Sequence, residues 1–124
     1  MKKATKVSLW LDEPEDHDYP SAESYLSLIF PHEKVTHFVD DLRKAEMVSF
    51  KAKDIFRASG LSLLGISNLH IERNMRKVKR GIRLSPLLLV RAEAIGRVIV
   101  ADGYHRLCTV YQINEDAVVP CKII

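Results

Sequence analysis

The chain has 124 residues, of which 47% are apolar and 28% charged, and a formal net charge of +3. That length predicts one domain around a single core, with a composition ordinary for a soluble globular protein. No apolar run reaches the roughly 20 residues that a membrane helix needs, and the basic start Met1-Lys2-Lys3 is followed only by a short apolar stretch, residues 7–11, so no secretory leader is expected.

The net charge hides an asymmetry. Residues 1–50 carry six basic and ten acidic side chains, residues 51–91 ten and two, and residues 92–124 three and four. The basic middle segment suits an anion or a nucleic acid, or serves as a solvated basic face.

In chain order, Val7, Leu9 and Leu11 alternate with Ser8, Trp10 and Asp12, a period-two pattern that predicts a first strand. Residues 12–20 have loop composition and gather carboxylates and His17. They lack the glycine and spacing of a calcium loop, so the expectation is a solvated acidic loop. A helix is predicted over 21–30 with Tyr25, Leu26, Ile29 and Phe30 as its apolar stripe. Another begins near Pro31, with Val35, Phe38, Val39 and Leu42 on one buried face. His32 and His37 share no face and are not read as ligands.

Residues 46–51 read as a short strand and 52–58 as a short helix closed by Ser59-Gly60, followed by a loop over 61–67. Ser67 or Asn68 caps the next helix, where Ile71, Met75, Val78 and Ile82 recur as an apolar line and Gly81 marks the stop. His70, Asn74 and Lys77 form a second, polar line on that helix, flanked by Arg73. Strands are predicted over 87–91 and 97–101 with a turn between them, then a helix over 104–113 and a last strand over 118–124. Cys108 and Cys121 have no metal spacing and read as free core thiols in a reducing, cytoplasmic setting.

Most of the functional information lies in residues 98–106, Val-Ile-Val-Ala-Asp-Gly-Tyr-His-Arg. A strand ends at Asp102-Gly103 and a helix starts at once, which aims backbone N–H groups and the positive end of a helix at one spot. Glycine admits close approach of a ligand, and His105 and Arg106 add donors suited to phosphate. The expectation is an anion site. Asp102 either caps the helix by accepting the His105 N–H, or holds a metal beside a phosphate, or acts as a base. His105 is either a phosphate contact or a satisfied core histidine. Arg106 either takes the anion or bridges to Asp102, and the anion role is preferred for its forked geometry. On that role, Arg106→Ala removes ligand binding and leaves the fold intact.

The same run resembles the signature of the ParB/sulfiredoxin superfamily, in which a strand ends in Gly-x-x-Arg or Asp-Gly-His-His-Arg and enters a helix. The resemblance extends over residues 47–124; residues 1–46 share nothing with it and are expected to form a family-specific addition whose helices cover one side. It implies an α/β (α+β) fold, a small mixed sheet of about four strands with surrounding helices. It also implies that His70, Arg73 and Lys77, on the helix before the first long strand, reach nucleotide phosphates together with Gly103, Tyr104, His105 and Arg106. In kinase-like members the Asp-Gly-x-His-Arg run belongs to the active site, which implies a catalytic role for Asp102 and a nucleotide with magnesium as the cofactor. Tyr104 departs from the pattern: sulfiredoxins place a nucleophilic Cys there, and Cys108 is four residues too late to replace it, so sulfinic-acid reduction is not expected. The DNA-reading helix-turn-helix domain of full partition proteins is not expected in this chain.

The functional expectation is therefore a domain binding a nucleotide or another phosphate ligand, with or without phosphoryl transfer. The alternatives are a nucleic-acid-binding accessory protein using residues 51–91, or an interaction module in which the motif is only a turn. A helix-turn-helix built from residues 53–59 and 68–80 is disfavoured by its long connection. A nuclease is disfavoured because Asp102, Asp54 and Glu72 show no paired spacing.

Overall fold

The computed structural model describes residues 9–63 and 68–124. Its elements are α1 (Asp18–Leu26), α2 (His32–Lys44), β1 (Val48–Lys51), α3 (Ala52–Ser59), α4 (Leu69–Lys79), β2 (Leu87–Ala92), a 3-10 turn (Glu93–Ile95), β3 (Arg97–Asp102), α5 (Tyr104–Ile113) and β4 (Val118–Ile123). The four strands form one mixed sheet in the order β1-β4-β2-β3. β4 runs parallel to β2, and the β1–β4 and β2–β3 pairs are antiparallel. This is the small α+β architecture expected from the sequence.

β2 explains the layering. Leu87, Leu88, Leu89 and Val90 are all buried, and a strand alternates its side chains between faces. Leu87 and Leu89 enter one core with Val100, Val119 and Cys121 of the sheet, Ala52 and Ile55 of α3 and Leu107 and Val110 of α5. Leu88 and Val90 enter a second core on the other face, with Tyr19, Ala22 and Leu26 of α1 and Val35, Val39 and Leu42 of α2. The molecule is three layers, with α1 and α2 on one side of the sheet. Lys122, on that side, is 4% exposed and donates from Nζ to the Arg43 carbonyl at 3.0 Å, which ties the end of α2 to β4.

Four local expectations are corrected. Within the first strand, Val7 lies outside the described residues, and Leu9–Leu11 make only one bridge, Trp10 to Leu84. Trp10, 7% exposed, is buried in the core there, with Leu9 partly buried against it. α1 starts three residues before the expected position and ends at Leu26. Its buried face is Asp18, Tyr19, Ala22 and Leu26, and Tyr25 and Ile29, the latter beyond the helix end, are exposed. The acidic loop is not wholly solvated, since Asp18 is 1% exposed. Along α4 only Ile71 is fully buried, and Ile82, beyond the helix end, is exposed.

The elements around the motif match their sequence signals. Asn68 caps α4, its side chain accepting from the His70 N–H at 2.9 Å and the Ile71 N–H at 3.4 Å. Gly81 follows with φ 76°, a left-handed stop. α5 spans the predicted residues, starting directly behind Gly103.

Candidate functional site

A cleft of about 280 Å³ opens where α4, the β3–α5 junction and the segment before α1 converge. α4 contributes His70, Arg73, Asn74 and Lys77, and the junction contributes Asp102, Gly103, Tyr104, His105 and Arg106. The sequence-predicted residues are thus brought together in one place. Glu15, His17 and the segment Arg83–Ser85, which the sequence did not single out for this site, complete the walls.

The junction is built around Gly103. Its φ is 107°, and a Cβ there would lie 2.7 Å from Leu87 Cγ and 2.9 Å from Arg106 Nη2. No other residue fits without displacing the core or the guanidinium. Gly103 is also the N-cap of α5, and among the described residues no side-chain cap hydrogen bond closes that helix. Its first-turn N–H groups therefore have no side-chain acceptor and point outward from the helix end. The capping role expected of Asp102 is not realised: its carboxylate turns to Arg106, with Oδ2 3.0 Å from Nη2.

Arg106 is likewise not presented as a free fork. Nη2 donates to Asp102 and to the Pro86 carbonyl at 3.3 Å, and lies 3.9 Å from Asp18 Oδ2. Its side chain is 18% exposed, and its Nε is buried without a hydrogen-bond partner. Asp18 arrives from α1, accepts from the Glu15 N–H at 3.1 Å, and takes a short hydrogen bond from Ser85 Oγ. Two carboxylates thus enclose one guanidinium beneath the cleft floor. Burial holds the Asp102 carboxyl above its usual range, with the Asp18 charge adding to the rise and Arg106 opposing it. Arg106 is therefore not presented as an unpaired cation, since Asp102 and Asp18 both lie within ion-pair distance of its Nη2.

The open cationic groups lie elsewhere. Arg73, Lys77 and Arg83 line the cleft and have no carboxylate within ion-pair distance among the described residues. Arg76, by contrast, is paired with Glu72 at 3.2 Å. Between the cationic wall and the α5 terminus, the rings of His70 and His105 pack with centroids 4.4 Å apart and planes 33° apart. Burial depresses the His105 pKa, with the charges of His70 and Arg106 adding to the effect. The Tyr104 hydroxyl donates to the Ser62 carbonyl and holds the segment after α3 against α5. Burial, and Cys108 beside it, raise the Tyr104 pKa.

Both cysteines are buried and neither is in a disulfide, and burial pushes the Cys121 thiol up to about 12.

Asp102 Oδ2 is engaged by Arg106, and among the described residues Asp102 belongs to no group of three His, Cys, Asp or Glu donors placed to hold a metal. Glu15, His17 and Asp18 place one donor atom each within 4.8 Å of one another. That set includes an imidazole, which suits a transition metal better than magnesium. α3 and α4 both pack on α5 and share no extended interface, so they do not form a helix-turn-helix.

Comparison with protein-family models, curated proteins and solved structures returns no match. No helix among the described residues is long and apolar enough to cross a membrane.

Proposed function

We propose that this protein binds a phosphate-bearing ligand in the cleft between α4 and the N-terminus of α5, in a reducing, cytoplasmic compartment. The resemblance to the ParB/sulfiredoxin superfamily makes a nucleotide the first class to test. The observation that carries the reading is the set of unneutralised cations, Arg73, Lys77 and Arg83, lining the same cleft as the uncapped first turn of α5. A dianion there gains charge-assisted hydrogen bonds from side chains and backbone together. His70 and His105 add imidazole donors. Arg106 keeps the floor in place from below, and Gly103 and Tyr104 present the backbone. The function proposed is binding. Phosphoryl transfer would further require Asp102 to give up Arg106 and serve as base.

The test is calorimetric titration with inorganic phosphate, pyrophosphate and nucleoside mono-, di- and triphosphates, with and without magnesium. Binding by the parent and loss of about ten- to hundredfold in Arg73→Ala and Lys77→Ala supports the reading, since each removes a charged hydrogen bond. No binding of any of these anions defeats it.

One observation favours a second reading, a nucleic-acid surface. Lys79 and Arg80 are also exposed and without acidic partners among the described residues, so the cationic surface continues past the cleft along α4. Salt dependence separates the two. A strand contacting many of these cations gives a steep fall of log K with log salt, and a single small ligand gives a shallow one.

A further inference from the structure

Glu15, His17 and Asp18 converge where the chain enters α1, in the N-terminal part that lies outside the superfamily resemblance. The His17 Nε2 atom is 3.4 Å from Asp18 Oδ1 and 3.9 Å from Glu15 Oε1. One donor atom of each residue lies within 4.8 Å of the other two. Donors bound at about 2.0–2.2 Å to a tetrahedral ion stand about 3.3–3.6 Å from one another. The His17–Asp18 pair already has that spacing. Glu15, with a half-exposed side chain, needs only a small movement to reach it.

Asp18 sets this group apart from a patch of surface charge. Its side chain is 2% exposed, and its two oxygens are engaged differently. Oδ2 accepts from the Glu15 N–H at 3.1 Å and from Ser85 Oγ, and it is the oxygen nearest Arg106. Oδ1 accepts no hydrogen bond among the described residues and is aimed at the His17 imidazole. A buried carboxylate oxygen without a donor is costly to keep. Ser85, itself 4% exposed and outside the donor set, holds the carboxylate in that orientation. Metal-binding carboxylates are commonly oriented by such a partner.

We infer that Glu15, His17 and Asp18 bind one divalent transition-metal ion of the zinc class, through Oε1, Nε2 and Oδ1. One imidazole and two carboxylates are a donor set that zinc accepts, whereas magnesium takes oxygen donors in octahedral geometry. Three protein ligands leave a fourth position for water or another oxygen. Glu15 and His17 also line the cleft, so the ion borders it. The inference does not rest on the anion reading, because the metal alone tests it.

The experiment titrates chelator-treated protein with zinc chloride by calorimetry, on the parent, His17→Ala, Glu15→Gln and Ser85→Ala. His17 and Glu15 have exposed side chains, so the fold tolerates their replacement, whereas Asp18→Asn would also disturb Arg106. The parent should bind one equivalent of zinc. Ser85→Ala, which releases the Asp18 carboxylate, should weaken binding about ten- to hundredfold. His17→Ala and Glu15→Gln should each lose at least as much. Magnesium chloride at the same concentration should not displace the zinc. A protonated His17 bridging two carboxylates would give the same distances with no ion. In that case the parent binds zinc no more tightly than His17→Ala, and the inference is overturned. It is overturned equally by zinc that binds the parent and His17→Ala alike through the cleft histidines or a cysteine, and by magnesium that binds as tightly as zinc.

Discussion

His70 and His105 come from different helices, and their rings meet at 4.4 Å between centroids inside the cleft. The charges on every side of the pair are known. α4 brings Arg73 and Lys77, α5 brings Tyr104 and Arg106, β3 brings Asp102, and the segments around them bring Arg83, Glu15 and His17. Burial, with the charges of His70 and Arg106 adding to it, holds His105 below its ordinary value of 6.5.

Anion binding should therefore take up a proton. A bound dianion favours the protonated imidazole, which the empty cleft disfavours, so affinity rises as pH falls toward the depressed His105 pKa. Sulfate is the suitable probe because it does not titrate in this range. Calorimetry at pH 8, 7 and 6, in buffers of different ionisation heat, should show uptake of protons in the parent and much less in His105→Gln. Stability without ligand moves the other way. The folded state holds its His105 proton less tightly than the unfolded chain, so stability falls as pH drops through about 6.5. Urea unfolding of the parent and His105→Gln across that window measures the difference.

Arg106→Ala should damage the fold, contrary to what the sequence alone suggests. It leaves Asp18, 2% exposed, and Asp102, 17% exposed, facing one another with no cation. Breaking a buried pair in this way costs about 3–5 kcal/mol, read by urea denaturation. Adding Asp18→Asn should recover a large part of the loss. An unfolding free energy unchanged in Arg106→Ala would show that the cluster is well hydrated.

Gly103→Ala should cost about 1–3 kcal/mol, the scale of backbone strain at a forced left-handed residue, with a steric contribution from Leu87 on top. Gly96→Ala is the control. Its φ is 64°, but a Cβ there meets nothing within 4 Å, so it carries the backbone cost alone. Thermal denaturation should rank Gly103→Ala below Gly96→Ala, and ligand affinity should fall only in the former.

Alkylation of the native protein at pH 8 should be slow at both cysteines. Cys108 and Cys121 are buried, and the Cys121 thiol is pushed up to about 12, so almost none of it is thiolate. Mass spectrometry after iodoacetamide treatment should find labelling that follows global unfolding. Cys108→Ala should keep phosphate affinity, and its loss would reopen thiol chemistry.

The half of the site that was legible in the sequence is the half made by local signals. An apolar run ending in Asp102-Gly103, a capping Asn68 and a stopping Gly81 each act over a few residues, so α4, β3 and α5 could be placed, while the meeting of His70, Arg73 and Lys77 with His105 was implied by the superfamily resemblance alone. The other half was not legible because it depends on distant pairs. Asp18 meets Ser85 across 67 positions, and Glu15 meets Ser85 across 70. Nothing near Asp18 in the chain signals that it will be buried; it is enclosed by Ser85 and Arg106, which arrive from the far half of the chain. Read without Asp18, Arg106 had only Asp102 to compete for it, and an anion role followed.

Asp18 also fixes what can be cut. α1 and α2 cover one whole face of the sheet, and their first residue neutralises the guanidinium under the cleft floor. A fragment starting at residue 47 would expose Leu88 and Val90 to water and strip Arg106 of one of its two carboxylates. The motif-bearing core is therefore not a transplantable module. Grafted onto another protein, residues 47–124 would need both a substitute apolar layer and a substitute acid, and a deletion series from the N-terminus should lose solubility before it reaches residue 47, while the cations of α4 are still in place.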